Sequence, residues 1–336
     1  MAPRSSDPRS FNTVRHSHRE ERAKRHRQGR IVLLAIFGVF AGLILAGLVF
    51  LILLGAHSCK KKKTPANPGG TQGNSTEIQY TTLNLNSAKM YAGELIVVNR
   101  DHEYQFPSAN KDYADPENFT TISATETIHA DTDNETIYRR LSGVVIRKEV
   151  LTALDRMMEE YHKYEPEDGK VQLKEAFRTY SAQEGKTVPP GCSDHHTGYL
   201  VTLRSVGGGE TLENSLEQQQ SDWLSQNCYK FGFIQRYPTG HAAHTFVNYD
   251  YTNAYRYVGI PHATYMVQTG ICLEEYVEYL KNNCRYEQTH LQVAGYEIYY
   301  VPASANATTE IPVPTNYSYT VSGDNLAGFI VTVKLG

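Results

Sequence analysis

The apolar positions of this chain fall first into one unbroken block. From Ile31 to Ala56 there are 26 residues without a charge, mostly Ile, Leu, Val, Ala, Phe and Gly. At about 1.5 Å per residue a helix of that length covers roughly 39 Å, more than a hydrocarbon core of roughly 30 Å, so the block predicts one tilted membrane-spanning helix. It is much longer than the apolar region of a cleaved signal peptide, roughly 7–15 residues, and is expected to stay as an anchor. Gly38, Gly42 and Ala46 put small residues on one face, which would let two such helices approach closely.

Residues 1–30 hold nine Lys/Arg against three acids and are expected as a disordered basic tail. Their positive excess predicts a cytoplasmic N-terminus and an extracytoplasmic C-terminal domain, although Lys60, Lys61, Lys62 and Lys63 stand on the other flank. Residues 57–75, with Pro65, Pro68, Gly69, Gly70 and Gly73, predict a flexible tether.

Beyond residue 76 the apolar period alternates between two and three to four. Ile78–Leu83, Gly93–Asn99, Val171–Phe177, Tyr199–Leu203, Tyr296–Val301 and Ala327–Val333 predict strands. Ile146, Val150, Leu151, Leu154, Met157, Met158 and Tyr161 recur at helical spacing over 144–161, and helices are also predicted over 214–230, ended by Gly232, and over 273–281. The stretches 101–141 and 303–318 are polar and predict surface structure and a link. Strands and helices without a regular βαβ rhythm argue for an α+β fold.

A net charge of −3 gives no pull toward nucleic acid. Cys192, Cys228, Cys272 and Cys284 fall in the folded part, and four cysteines allow three pairings or none. Tyrosine totals 24, five of them at Tyr296, Tyr299, Tyr300, Tyr317 and Tyr319, where they suit either an interface or a strand core.

Candidate chemistry is densest at Ser193-Asp194-His195-His196-Thr197-Gly198, with His241, His244 and His262 farther on. Imidazoles beside a carboxylate suit a tetrahedral metal site, and adjacent histidines on a strand cannot both point into it.

Several stretches in order carry a family resemblance: Gly93–Asn99 with His102 and Tyr104; Phe177-Arg178-Thr179-Tyr180-Ser181 with Gln183; Ser193–Gly198; Trp223–Ile234 with Arg236-Tyr237-Pro238; Arg256-Tyr257-Val258-Gly259; and Leu273–Tyr276. Together they resemble the zinc D-alanyl-D-alanine carboxypeptidases of the VanY type, peptidase family M15. The resemblance implies a hedgehog/DD-peptidase-like domain over 76–285, behind the transmembrane helix, with 286–336 as a C-terminal β-rich extension.

It also implies which side chains ought to do the chemistry. The first zinc motif, Ser-x-His-x-x-Gly-x-Ala-x-Asp, keeps Ser193, His195 and Gly198, but Leu200 replaces the Ala, and the ligating Asp falls on Thr202. In the second motif, anchored on Arg256-Tyr257-Val258-Gly259, the ligating His falls on Ala254 and the general-base Glu on Tyr251. A hydroxyl and a methyl are poor ligands, and a phenol of pKa about 10 is a poor base. Asp250, next to the base position, needs a local bulge to substitute, and Tyr251 and Tyr255 are expected to fill the space left by the metal.

The expectation is therefore a membrane-anchored, extracytoplasmic pseudo-carboxypeptidase, catalytically inactive and without cofactor. It would bind a peptidoglycan stem peptide or an envelope protein, through Arg178, Gln183 and Ser193. An arginine can clamp a carboxylate without a metal. The alternative is an active zinc D,D- or L,D-carboxypeptidase with a rearranged metal site.

Overall fold

The structure, a computed structural model, describes residues 77–129, 135–165, 170–207, 210–212, 215–247 and 251–336. The basic tail, the apolar block 31–56, the tether 57–75 and Asp250 lie outside the described residues. Among the described residues no helix is long and apolar enough to cross a membrane.

The folded unit is of mixed α/β type, built on a seven-stranded sheet. Its strands run in the order Glu126–His129, Thr136–Arg140, Val171–Glu175, Leu200–Gly207, Ala254–Tyr257, Phe233–Gln235, with Glu210–Leu212 also paired to Leu200–Gly207. All neighbours are antiparallel except Thr136–Arg140 with Val171–Glu175.

Helix Lys148–Tyr164 supplies that parallel crossover, since parallel neighbours cannot be joined by a hairpin. It buries Val150, Leu154, Met157, Met158 and Tyr161, the three-and-four pattern legible in the sequence, in one core with Leu173, Val201, Leu203, Trp223 and Tyr255.

A second core joins Leu95 and Val97 to helices Ile260–Thr269 and Leu273–Asn283 and to Ile298, Tyr300 and Ile330. Those last three residues belong to a four-stranded antiparallel sheet, Leu291–Val293, Tyr296–Pro302, Gly328–Lys334, Ser318–Gly323. Side chains alternate across it. Ile298 and Tyr300 face the second core, whereas Tyr299, Val301, Phe329, Val331 and Val333 form a third core with Ile311 and Val313. Residues 286–336 thus share packing with the peptidase-like part.

Three local expectations are corrected. Gly93–Asn99 begins in a turn at Gly93–Leu95 and lies in no ladder, and its backbone is satisfied largely by side chains. Arg256 donates to Glu94 O (2.9 Å) and Ile96 O (3.3 Å), Asn325 donates to Val97 O (2.8 Å), and the Leu95 amide donates to Ser322 Oγ (2.9 Å). The polar stretch 303–318 contains the strand Thr308–Pro314, which pairs with Tyr80–Asn86 and buries Ile311 and Val313. The stretch 101–141 contributes Phe119–Thr121, Glu126–His129 and Thr136–Arg140. In 101–141 the strands are only three to five residues long, and in Thr308–Pro314 threonine, proline and glutamate alternate with Ile311 and Val313, so polar residues mask the period.

Helix 260–269 was missed. Pro261 in its first turn and Gly270 after its end mark its boundaries.

Candidate functional site

The loop 193–198 is pinned from below by charge. Asp194 is fully buried and its two carboxylate oxygens accept from Arg236 and Arg256, both fully buried. Arg256 also donates to Thr197 Oγ1 at 3.2 Å, and Arg236 forks onto Glu274 at 2.7 and 3.0 Å. The arginines of the Arg-Tyr-Pro and Arg-Tyr-Val-Gly stretches therefore fix the loop, and the glutamate of helix Leu273–Asn283 completes the network.

Gly198 closes the loop with φ 73°. A Cβ there would stand 2.3 Å from the Phe119 ring, so the left-handed turn requires glycine on both counts.

This anchoring lays His195 over the sheet. Its Nδ1 lies 2.5 Å from the Ala176 carbonyl, which can only accept, so the proton is on Nδ1 and Nε2 is left as an acceptor. Thr202 Oγ1 sits 3.4 Å from that Nε2. Burial, with the charge of Arg178 adding to it, pushes the imidazole down to about 4, so it is neutral at pH 7.

Register places the remaining positions. Thr202 stands opposite Ala254 on one neighbouring strand and opposite Glu175 on the other. One row across three strands thus reads Glu175, Thr202, Ala254, with His195 on Thr202. Thr202 and His195 are each 3% exposed and Ala254 0%, so the row is closed over.

The mouth of the row is Glu175 and Arg178. Arg178 pairs with Glu175 and donates to Gln183 Oε1 at 2.5 Å, and Gln183 in turn donates to Val188 O at 2.6 Å. The buried Arg178 Nε has no hydrogen-bond partner among the described residues. Against the upward push of burial, His195 and Arg178 hold the Glu175 carboxyl below its usual range. Glu175 was missed in the sequence, where it reads as one more strand residue. In Val171-Gln172-Leu173-Lys174-Glu175 it follows another charge, so nothing local singles it out.

Ser193 is buried and accepts the His195 amide at 3.4 Å, a loop-forming role. Tyr251 packs its ring 5.8 Å from Tyr237, which is half-buried beside Arg236. Tyr255 departs from expectation: one place from Ala254, it points to the other face and joins the helix-side core near Cys228.

The other histidines do not gather around His195. His196 bonds Arg178 O and the Gly191 amide, while His262 is a core histidine between Tyr276 and Thr332, pushed down to about 3 by burial. His241 and His244 reach Glu275 instead. The four described cysteines are free and buried.

The zinc ion implied by the resemblance does not fit this row. His195 Nε2 meets a hydroxyl, the position opposite is a methyl, and a tetrahedral ion would find one nitrogen among its three protein ligands.

Two clefts lie elsewhere among the described residues. One of about 290 Å³ is lined by Tyr104, Phe106, Phe119, Arg147, Phe177 and Tyr199, on the far side of the 193–198 loop, where Arg147 donates to Thr197 O at 2.8 Å. The other, about 250 Å³, lies between Asn99–His102 and helix Leu273–Asn283.

Residues 185–260 match the family model described as D-alanyl-D-alanine carboxypeptidase (VanY). The D-alanyl-D-alanine carboxypeptidase of Enterococcus faecium is 38% identical over 151 residues, 44% of this chain and 46% of that protein. The bifunctional D-Ala-D-Ala dipeptidase and D-Ala-D-Ala carboxypeptidase VanXYC of Enterococcus gallinarum is 31% identical over 102 residues, 29% of this chain and 52% of that one. Among solved structures, the vancomycin resistance D,D-dipeptidase VanXYg in complex with a D-Ala-D-Ala phosphinate analog has a TM-score of 0.58, covering 76% of this chain and 99% of that chain at 22% identity. That likeness shows the fold. The chain spans about half the length of the curated relatives it matches.

Proposed function

From the premise that this chain carries a VanY-type domain, we propose that it recognises the D-alanyl-D-alanine end of peptidoglycan stem peptides without hydrolysing it. In this reading the domain stands outside the cell membrane, tethered by residues 31–56. The observation that carries the proposal is the row Glu175, Thr202, Ala254 beneath His195, which has no set of metal donors, next to an arginine that keeps its fork.

Hydrolysis of the family's kind needs an activated water, a base to take its proton and a charge to receive the developing oxyanion. Here His195 is neutral and already hydrogen-bonded on both nitrogens, and the base position holds the phenol of Tyr251. Removing these functions one by one costs orders of magnitude of rate, and here they are missing together.

Binding has different requirements. A terminal carboxylate arriving at the mouth would replace Glu175 on Arg178 and use the unpartnered Nε, forming two parallel charge-assisted hydrogen bonds. Gln183 holds the guanidinium in place while this exchange occurs.

A second reading has its own support. The relatives named above are called carboxypeptidases or dipeptidases, which favours a zinc enzyme with a rearranged metal site.

Calorimetric titration of the full-length chain in detergent with a stem pentapeptide ending in D-Ala-D-Ala separates recognition from mere fold retention. Binding is expected, weakened at least tenfold by Arg178→Ala and by replacing the peptide's terminal carboxylate with an amide. No binding, or binding indifferent to both changes, would leave the domain a structural module.

A further inference from the structure

We propose that this chain holds a divalent transition metal of the zinc class at a site away from the family's, built from His241, Cys272 and Glu275 with His244 as fourth ligand. One ligand atom from each of the first three lies within 4.8 Å of the others. His241 Nδ1 is 2.7 Å from Glu275 Oε2, and His244 Nε2 is 3.5 Å from Glu275 Oε1. Thiolate, two imidazoles and a carboxylate form a four-ligand set suited to tetrahedral Zn(II) or Co(II) and poorly suited to Mg(II) or Ca(II).

The ligands stand on pinned backbone. Cys272 caps helix Leu273–Asn283, with its sulfur accepting an amide of the first turn while its own amide donates to Glu275 Oε2 at 2.8 Å. The His241 carbonyl accepts from the His244 and Thr245 amides, both at 3.0 Å, so His241 and His244 are spaced by a single turn over Glu275. Of the four, Cys272 is buried and His244 is about half exposed, which gives the site an inner end and an open end.

His244 and Glu274 also line the 250 Å³ cleft, together with Asp101, His102 and Glu278 against the single Lys281. A cation therefore meets an acidic approach. Glu274 in turn carries Arg236, which holds Asp194, so the ion would brace the loop 238–247 against the helix that supports the 193–198 loop. When the ion binds, the Cys272 thiol proton leaves to solvent, the proton that His241 Nδ1 donates to Glu275 is transferred through solvent to Nε2, and Nδ1 and the Glu275 carboxylate each exchange their mutual hydrogen bond for a bond to the metal.

The test titrates chelator-stripped full-length chain, in detergent, with Co(II). We expect one ion per chain, a thiolate-to-cobalt charge-transfer band in the near ultraviolet and the intense visible bands of tetrahedral cobalt. Cys272→Ser keeps a good helix cap and should abolish the charge-transfer band, and His241→Ala should weaken binding at least tenfold. Glu275→Gln keeps the cap's geometry and should also weaken binding, and thermal unfolding of each variant shows that it is folded. His195→Ala should leave the spectrum unchanged. Absence of the charge-transfer band in the parent chain, its survival in Cys272→Ser, or its loss in His195→Ala would overturn the site. Because the readout is spectroscopic, it fails or succeeds independently of peptide binding.

Discussion

Glu175 shows how one side chain changes the meaning of a site. Its carboxylate occupies the guanidinium of Arg178 from within the chain, as a ligand's carboxylate would from outside, and Glu175 stands in the same cross-strand row as Thr202. Glu175→Gln removes the competing charge but keeps the size. The account expects stem-peptide affinity to rise by about tenfold, roughly 1.4 kcal/mol, measured by the same calorimetric titration, whereas unchanged or lower affinity would mean that Arg178 does not meet the peptide. At this scale the sequence was informative where chemistry was subtracted: the hydroxyl of Thr202 and the methyl of Ala254 could be read directly against the motif, and register puts the two side by side. It was uninformative about Glu175, because which carboxylate answers an arginine depends on a strand irregularity between Leu173 and Glu175 that no local pattern reveals.

Among the elements, the loop 193–198 and the segment Gly93–Asn99 are held by the same two arginines. Arg256 reaches Asp194 and the carbonyls of Glu94 and Ile96, and Arg236 reaches Asp194 and Glu274. Three stretches that looked like separate motifs are thus one buried charge network. Removing one member leaves an uncompensated buried charge, which typically costs about 3–5 kcal/mol. Asp194→Asn should therefore lower the thermal midpoint by several degrees or prevent folding. An unchanged midpoint would show that the two arginines are satisfied by their carbonyl and Glu274 contacts alone. The strand expected over Gly93–Asn99 failed for the same reason: Leu95–Val98 is a continuous apolar run buried on every side, and arginine side chains take the place of a neighbouring strand. Helix Lys148–Tyr164 was legible because its buried positions recur without interruption, while helix Ile260–Thr269 hid behind a proline that reads as a break and acts as a start.

At the scale of the molecule, the sheet of Tyr296–Pro302 and its neighbours packs on one face against helices Ile260–Thr269 and Leu273–Asn283, and on the other against Ile311 and Val313. Of the five tyrosines there, Tyr299 and Tyr300 are core, with hydroxyls on Pro312 O at 2.6 Å and Asp324 at 2.8 Å, Tyr296 and Tyr317 are half-buried, and Tyr319 is exposed. Domain type was legible from ordered stretches, whereas the sharing of cores across residue 285 was not, because contacts between 95–97 and 298–330 leave no local trace. In the proposed reading the scaffold keeps a recognition mouth at Glu175 and Arg178 over the row Thr202, Ala254 and His195, which would not hold the family's catalytic ion. The most direct measurement is release of free D-alanine from a D-Ala-D-Ala-terminated pentapeptide by the zinc-replete full-length chain. Release no faster than in buffer is expected. Chelator-sensitive release that disappears in His195→Ala would contradict it.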